Sequence, residues 1–315
     1  RQASAQPQMN MPGNWEVCTP ETMRHFSAVG YYFARHLQED LKDVPIGMIN
    51  SSWGGSPAEP WIPAQYINED PVLKKAAADL YKADWSPSDP GHIYNAMIHP
   101  FVGYRLAGVL WYQGESNVGS HVYDKTLAGL IKGWRSEWKA DFPFYFVQIA
   151  PYNYEGNTDL GAVIRDAQRR VVNAVEKTGM VVVSDIATVD DIHPRNKKDV
   201  GIRLANLALN NTYSIKKGVV NGPLPSVVKA DKNKLTVTFA NGEGLHFKDK
   251  KATQFEIAGE DGTWHKAEAK IVNNTVVLTS KNVKKPVMVR HAWHNTALAN
   301  LFNGAGLPAS TFTTE

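Results

Sequence analysis

Three short stretches gather the residue types that acyl chemistry needs. The first is Asn50-Ser51-Ser52-Trp53-Gly54-Gly55-Ser56-Pro57-Ala58-Glu59-Pro60-Trp61. Gly54 and Gly55 let backbone N–H groups approach a ligand closely, which suits an oxyanion. A glycine turn lined by aromatics explains the same residues. The second is Trp111-Tyr112-Gln113-Gly114-Glu115-Ser116-Asn117, with two amides, a carboxylate and a hydroxyl. A bland loop seldom concentrates so many polar groups beside two aromatics. The third is Val189-Asp190-Asp191-Ile192-His193-Pro194-Arg195-Asn196-Lys197. An imidazole two or three residues after carboxylates suits a general base held by an acceptor. Aspartates also cap helix starts, so that spacing is weak by itself.

The elements around these stretches set their positions. Phe26, Val29, Gly30, Phe33 and Leu37 recur at helical spacing and predict a helix over 21–41. The apolar run 44–50 reads as a buried strand that ends at the first polar stretch. Further along, 71–85 reads as mostly helical and 106–112 as a strand running into the second stretch. Helix over 123–140, strand over 144–149, helix over 159–177, strand over 180–184 and helix over 196–210 follow. Alternating helices and strands apolar on both faces argue an α/β fold with a parallel sheet covered by helices. Ligands of such sheets bind at the carboxyl ends of strands, where the polar stretches lie.

The pattern changes near Tyr213. Strands are expected over 235–239, 255–257, 266–272, 275–279 and 286–291, with turn signals at Asn241-Gly242, Asp261-Gly262 and Asn273-Asn274. The expected division is 1–213 as the α/β domain, 214–292 as an antiparallel β module and 293–315 as an ordered tail.

Composition narrows the classes. The chain has 315 residues, 43% of them hydrophobic and 21% charged, which is ordinary for a globular protein. A net charge of +3 gives no reason to expect a nucleic-acid partner. No apolar run reaches the roughly 18 residues that a membrane span needs. Cys18 is the single cysteine, so neither an internal disulfide nor a multi-cysteine zinc site can form. The histidines lack metal-ligand spacing, and no cofactor is expected. Trp53, Trp61, Trp111 and Tyr112 suit either a sugar-facing site or core packing. Arg165 and Gln168 lie one helical turn apart and suit either a brace or a surface pair.

The residues together resemble the sialate O-acetylesterase family of the SGNH (GDSL-like) hydrolases. The matching stretches are 26–33, 45–61, 108–117 and 191–197, with Arg165-Asp166-Ala167-Gln168 and Gly306-Leu307-Pro308-Ala309. The resemblance implies a flavodoxin-like parallel sheet and release of acetate from an acetylated carbohydrate, sialic acid first and acetylated xylan next. It implies a serine acyl-enzyme with no cofactor. His193 would be the base, with Asp190 or Asp191 orienting it. Gly54 or Gly55 would donate an N–H to the oxyanion, Gln113 or Asn117 an amide, and Glu115 would shape the site. Arg105, Arg165 and Arg195 are the arginines available to a sialic acid carboxylate. A secreted or periplasmic location follows from the substrate class.

The family's nucleophile stretch, Gly-Gln-Ser-Asn-Met, has no match here. The expectation is that a segment or partner chain preceding Arg1 carries the serine and the first sheet strand. The rivals are an internal serine, namely Ser51, Ser52, Ser56 or Ser116, and an inactive carbohydrate-binding fragment.

Overall fold

In the computed structural model, which describes residues 1–156 and 159–315, the helix expected over 21–41 breaks at its start. A 3-10 turn covers Thr22–His25, Phe26 is extended, and helix α1 runs Ala28–Leu41. The Ser27 side chain accepts the Gly30 N–H, which caps the helix. Gly30, Phe33 and Leu37 form its buried face, as their spacing predicts. Two short helices follow, α2 at Ala64–Asn68 and α3 at Pro71–Ala78. Asp70 caps α3 through the N–H groups of Val72 and Leu73, with Pro71 in the first turn. Strand β1 is Val109–Trp111, helix α4 Tyr123–Trp138, β2 Phe144–Val147, α5 Leu160–Ala174, β3 Thr178–Val181 and α6 Lys197–Leu207. The three strands form one sheet in the order β1-β2-β3, and β1 runs parallel to β2 with Leu110 opposite Tyr145.

The chain divides into two compact units. The first is Arg1–Val147 with Arg170–Gly179 and Lys197–Lys216. The second is Gln148–Arg169 with Met180–Asn196 and Lys217–Glu315.

Within the first unit α1 packs on α6 at Gly201, where a Cβ would lie 2.8 Å from both Val29 O and Phe33 N. Only glycine permits that approach. The run 44–50 is not a strand, contrary to its apolar pattern. A strand needs a ladder partner, and among the described residues β1 pairs with β2 alone. Residues 44–49 and 106–111 instead line a shared cavity of about 490 Å3, together with Phe33 and Leu37 of α1. The helix expected over 71–85 stops at Ala78.

The second unit holds most of the antiparallel structure. Strand β4 is Leu224–Asp231, β5 Lys234–Ala240, β6 His246–Phe247, β7 Phe255–Ala258, β8 Trp264–Lys266, β9 Glu268–Val272, β10 Thr275–Thr279, β11 Met288–His291, β12 Leu301–Phe302 and β13 Phe312–Thr313. Two four-stranded sheets result, ordered β4-β5-β10-β9 and β13-β11-β7-β8, with β12-β6 as a small third. Leu235, Val237 and Phe239 alternate inward along β5 and join Ile257, Leu278, Val289 and Phe312 in one core. The tail 293–315, expected as loop, supplies β12 and β13, and Phe312 pairs with His291.

Arg165 and Gln168 are brace residues, not a surface pair. Arg165 is fully buried and donates to the carbonyls of Ala292, His294 and Asn295 and to Thr311 Oγ1. Burial lowers its pKa to about 10. The Gln168 side-chain oxygen accepts the Ile149 N–H at 2.8 Å.

Candidate active site

The first and second polar stretches meet in the first unit. Glu59 sits in a one-turn 3-10 helix, Glu59–Trp61, and is buried. Asn117 donates its amide to both Glu59 carboxylate oxygens, at 3.0 and 2.9 Å. Thr126 Oγ1 adds a longer bond at 3.4 Å. Burial pushes the Glu59 pKa above the usual carboxylate range, and the Asn117 bond opposes that shift. Asn117 Oδ1 accepts the Ala58 N–H at 2.9 Å and the Gln113 side-chain amide at 2.8 Å. Gln113 also donates to Ser56 O at 3.2 Å and accepts from Tyr123 OH at 2.8 Å. One network therefore fixes the loop 50–61 and the loop that follows β1.

The loops border a cavity of about 290 Å3 lined by Ser51, Ser52, Trp53, Gly54, Ser56 and Gln113, among others. Gly54 reaches this cavity; Gly55 and Asn117 are not in its lining. Gly54 and Gly55 are exposed, and neither N–H is hydrogen-bonded among the described residues. Gly55 turns the chain at φ 77°, a conformation glycine adopts without strain. The Gln113 amide donates to Asn117 and Ser56, which makes it a fastener of the loop in this arrangement.

The serines of the first unit differ in engagement. Ser51 Oγ donates to Met97 O at 3.0 Å, and Ser56 Oγ donates to Trp53 O at 2.7 Å while accepting from Trp61 Nε1. Ser52 and Ser116 are exposed. Trp61 and Trp111 belong to the core, edge to face at 5.9 Å, whereas Trp53 and Tyr112 are half-buried. Among the described residues, Trp111 Nε1 and Tyr112 OH are buried without a hydrogen-bond partner. Burial, aided by the Glu115 charge, raises the Tyr112 pKa. Glu115 opens the 3-10 turn Glu115–Asn117.

The third stretch lies in the second unit up to Asn196. Asp191 Oδ1 accepts the His193 backbone N–H at 2.9 Å, so this carboxylate shapes the turn and leaves the ring unbound. That bond, with exposed Arg195 at 3.5 Å, holds the Asp191 pKa below its usual value. Asp190 and His193 are exposed, and the imidazole has no hydrogen bond among the described residues. Of the three arginines considered for a sugar carboxylate, Arg165 is enclosed by backbone carbonyls and Arg105 lines the larger cavity.

Reading by motif did not single out Glu59 or Trp85. A carboxylate inside Pro57-Ala58-Glu59-Pro60-Trp61 is a usable signal, because apolar neighbours on both sides imply burial and a buried carboxylate needs donors. Trp85 carries no such signal.

Residues 8–210 match the family model described as carbohydrate esterase, sialic acid-specific acetylesterase. Curated relatives named sialate O-acetylesterase include those of Homo sapiens and Pongo abelii. Each is 34% identical over 271 residues, covering 78% of this chain and 51% of the relative. The chain thus spans about half the length of the curated relatives it matches. A solved structure, a carbohydrate acetylesterase from Xanthomonas citri, is 35% identical with a TM-score of 0.89, covering 100% of this chain and 72% of that one.

Proposed function

Because the chain belongs to the sialic acid-specific acetylesterase family of carbohydrate esterases, we propose that it releases acetate from O-acetylated sugars, sialic acid first, through a serine acyl-enzyme. His193 takes the serine proton as the serine oxygen attacks the acetyl carbonyl. The Gly54 N–H, with Gly55 beside it, receives the negative charge of the tetrahedral oxygen. Collapse expels the sugar oxygen, which takes the proton from His193. Water, giving a proton to His193, then attacks the acyl-enzyme, and the departing serine oxygen takes that proton back as acetate leaves. Asp190 by rotation of its exposed side chain, or Asp191 on releasing the His193 backbone N–H, orients the imidazole. Gln113, Glu115 and Asn117 hold the cavity rim.

The observation that carries this reading is the rim at Gly54. An exposed glycine whose N–H has no partner among the described residues borders a cavity whose lining residues Ser56 and Gln113 are tied into the Glu59–Asn117–Gln113 network. The serine is proposed to come from a segment preceding Arg1. Two observations support that. Ser51 and Ser56 donate their hydroxyl protons to backbone carbonyls. The largely apolar cavity between 44–49 and β1 has the lining of a strand slot. The substrate class carries with it a secreted or periplasmic place of work. No helix among the described residues is long and apolar enough to cross a membrane.

The test is acetate release from 9-O-acetylated sialic acid and from acetylated xylan, with intact mass after labelling by a serine-directed phosphonate. His193→Ala should lower turnover by about a thousandfold. The label should sit on a polypeptide region outside 1–315. An active, labelled 34.9 kDa species would move the nucleophile to Ser52 or Ser116. Glycan binding without acetate release would favour the binding-fragment reading.

A further inference from the structure

Trp85 lies against the turn formed by Gly54 and Gly55. Its indole N–H donates to Gly55 O at 3.3 Å, and its own carbonyl accepts the Trp53 indole N–H at 2.8 Å. A Cβ on Gly55 would sit 2.7 Å from Trp85 Nε1 and 3.0 Å from Cδ1, so the ring touches the turn. Trp85 is nevertheless 62% exposed. Tyr81, 80% exposed, flanks it with ring centroids 6.5 Å apart at 43°. Trp53 links this surface to the 290 Å3 cavity, whose wall it forms. Two large rings thus remain in water while hydrogen bonds hold one of them in place. Fixed aromatic faces open to solvent mark binding surfaces, since burying them releases hydration water at little cost in side-chain freedom.

We propose that Trp85, flanked by Tyr81, is the stacking face for the pyranose ring of the acetylated sugar. The proposal rests on the sugar-ester reading above. A pyranose presents a face of C–H bonds inside a rim of hydroxyls. The indole plane fits the face, and the exposed sequence neighbours Lys82 and Asp84 carry a donor and an acceptor for the rim. The patch is two rings wide, which suits one sugar better than a protein surface. With the ring on Trp85, the ester reaches past Gly55 to Gly54 and the cavity. A flat indole reads ring shape and is indifferent to a carboxylate, so the platform accepts acetylated pyranosides beyond sialic acid.

The test is equilibrium binding by calorimetry with the full chain carrying His193→Ala, so that no ester is consumed. The probes are the methyl glycoside of 9-O-acetyl-N-acetylneuraminic acid and acetylated xylotetraose. Trp85→Ala should weaken binding of the better probe by about tenfold, and Tyr81→Ala by about threefold. Trp85→Phe keeps a ring face without the N–H and should stay within about threefold of the parent. Thermal melts of each variant report folding. Tight binding by Trp85→Ala, or failure of both probes to bind the parent chain, overturns the proposal. Loss of binding in Trp85→Ala, with no acetate released by the unsubstituted protein carrying the segment that precedes Arg1, would sustain the platform and defeat the esterase reading. Acetate release together with unchanged Trp85→Ala binding would do the reverse.

Discussion

Glu59 is buried beside an amide that gives it two hydrogen bonds, and the direction of those bonds makes it a carboxylate site. Both oxygens must accept. Glu59→Gln places a donor against the Asn117 donor and leaves a buried group unsatisfied, at a cost of about 1–3 kcal/mol. The Gln113 fastening loosens with it, so acetate turnover should fall along with the unfolding free energy. The double variant Glu59→Gln with Asn117→Asp reverses donor and acceptor. The new carboxylate still accepts the Ala58 N–H and the Gln113 amide. It should recover most of the stability and rate, measured by urea unfolding and acetate release. If the double variant is as impaired as the single one, bond direction is not what the pair supplies.

Helices and strands obeyed their sequence signals unequally. Helix α4 matches its expected span closely because Leu127, Leu130, Ile131 and Trp134 repeat at helical spacing and all are buried. Strand β5 likewise follows its alternation. Strand β4 escaped notice because it is mostly exposed and lacks a clear inward face. Strands β12 and β13 have two residues each, too few for a period to register. Yet β13 matters, because Phe312 is fully buried in the core of the second unit. Phe312→Ala should cost about 3–5 kcal/mol, read as a lowered urea midpoint. A change below about 1 kcal/mol would mean that the core refills from its neighbours. The run 44–50 shows the opposite failure: its apolar pattern predicts a buried strand, but none of its residues is buried and no strand pairs with it among the described residues.

At the scale of the whole molecule, acid stability should depend on His291. It is buried between Phe255 and Phe312, its Nδ1 has no hydrogen-bond partner among the described residues, and burial lowers its pKa to about 3. The unfolded chain takes up the proton near pH 6.5 and the folded one does not. Stability present above pH 6.5 is therefore lost as pH falls toward 3. The share from this group is about 2 kcal/mol between pH 7 and pH 5. His291→Phe should remove that share of the slope, seen as a smaller difference between urea midpoints at the two pH values. An unchanged difference would assign the acid sensitivity to the carboxylates. The sequence by itself determined the alternation of helices and strands, the change to antiparallel strands after Tyr213 and the three polar stretches, because local periodicity and turn chemistry depend on near neighbours. It also determined the family, through motifs spread along most of the chain. Tertiary structure alone decided that Arg165 is a buried brace, that Asp191 bonds the His193 backbone, and that Trp61 and Trp111 are core while Trp85 stays exposed at the glycine turn. Those outcomes turn on which partners distant segments present, and on whether each polar group finds one once water is excluded.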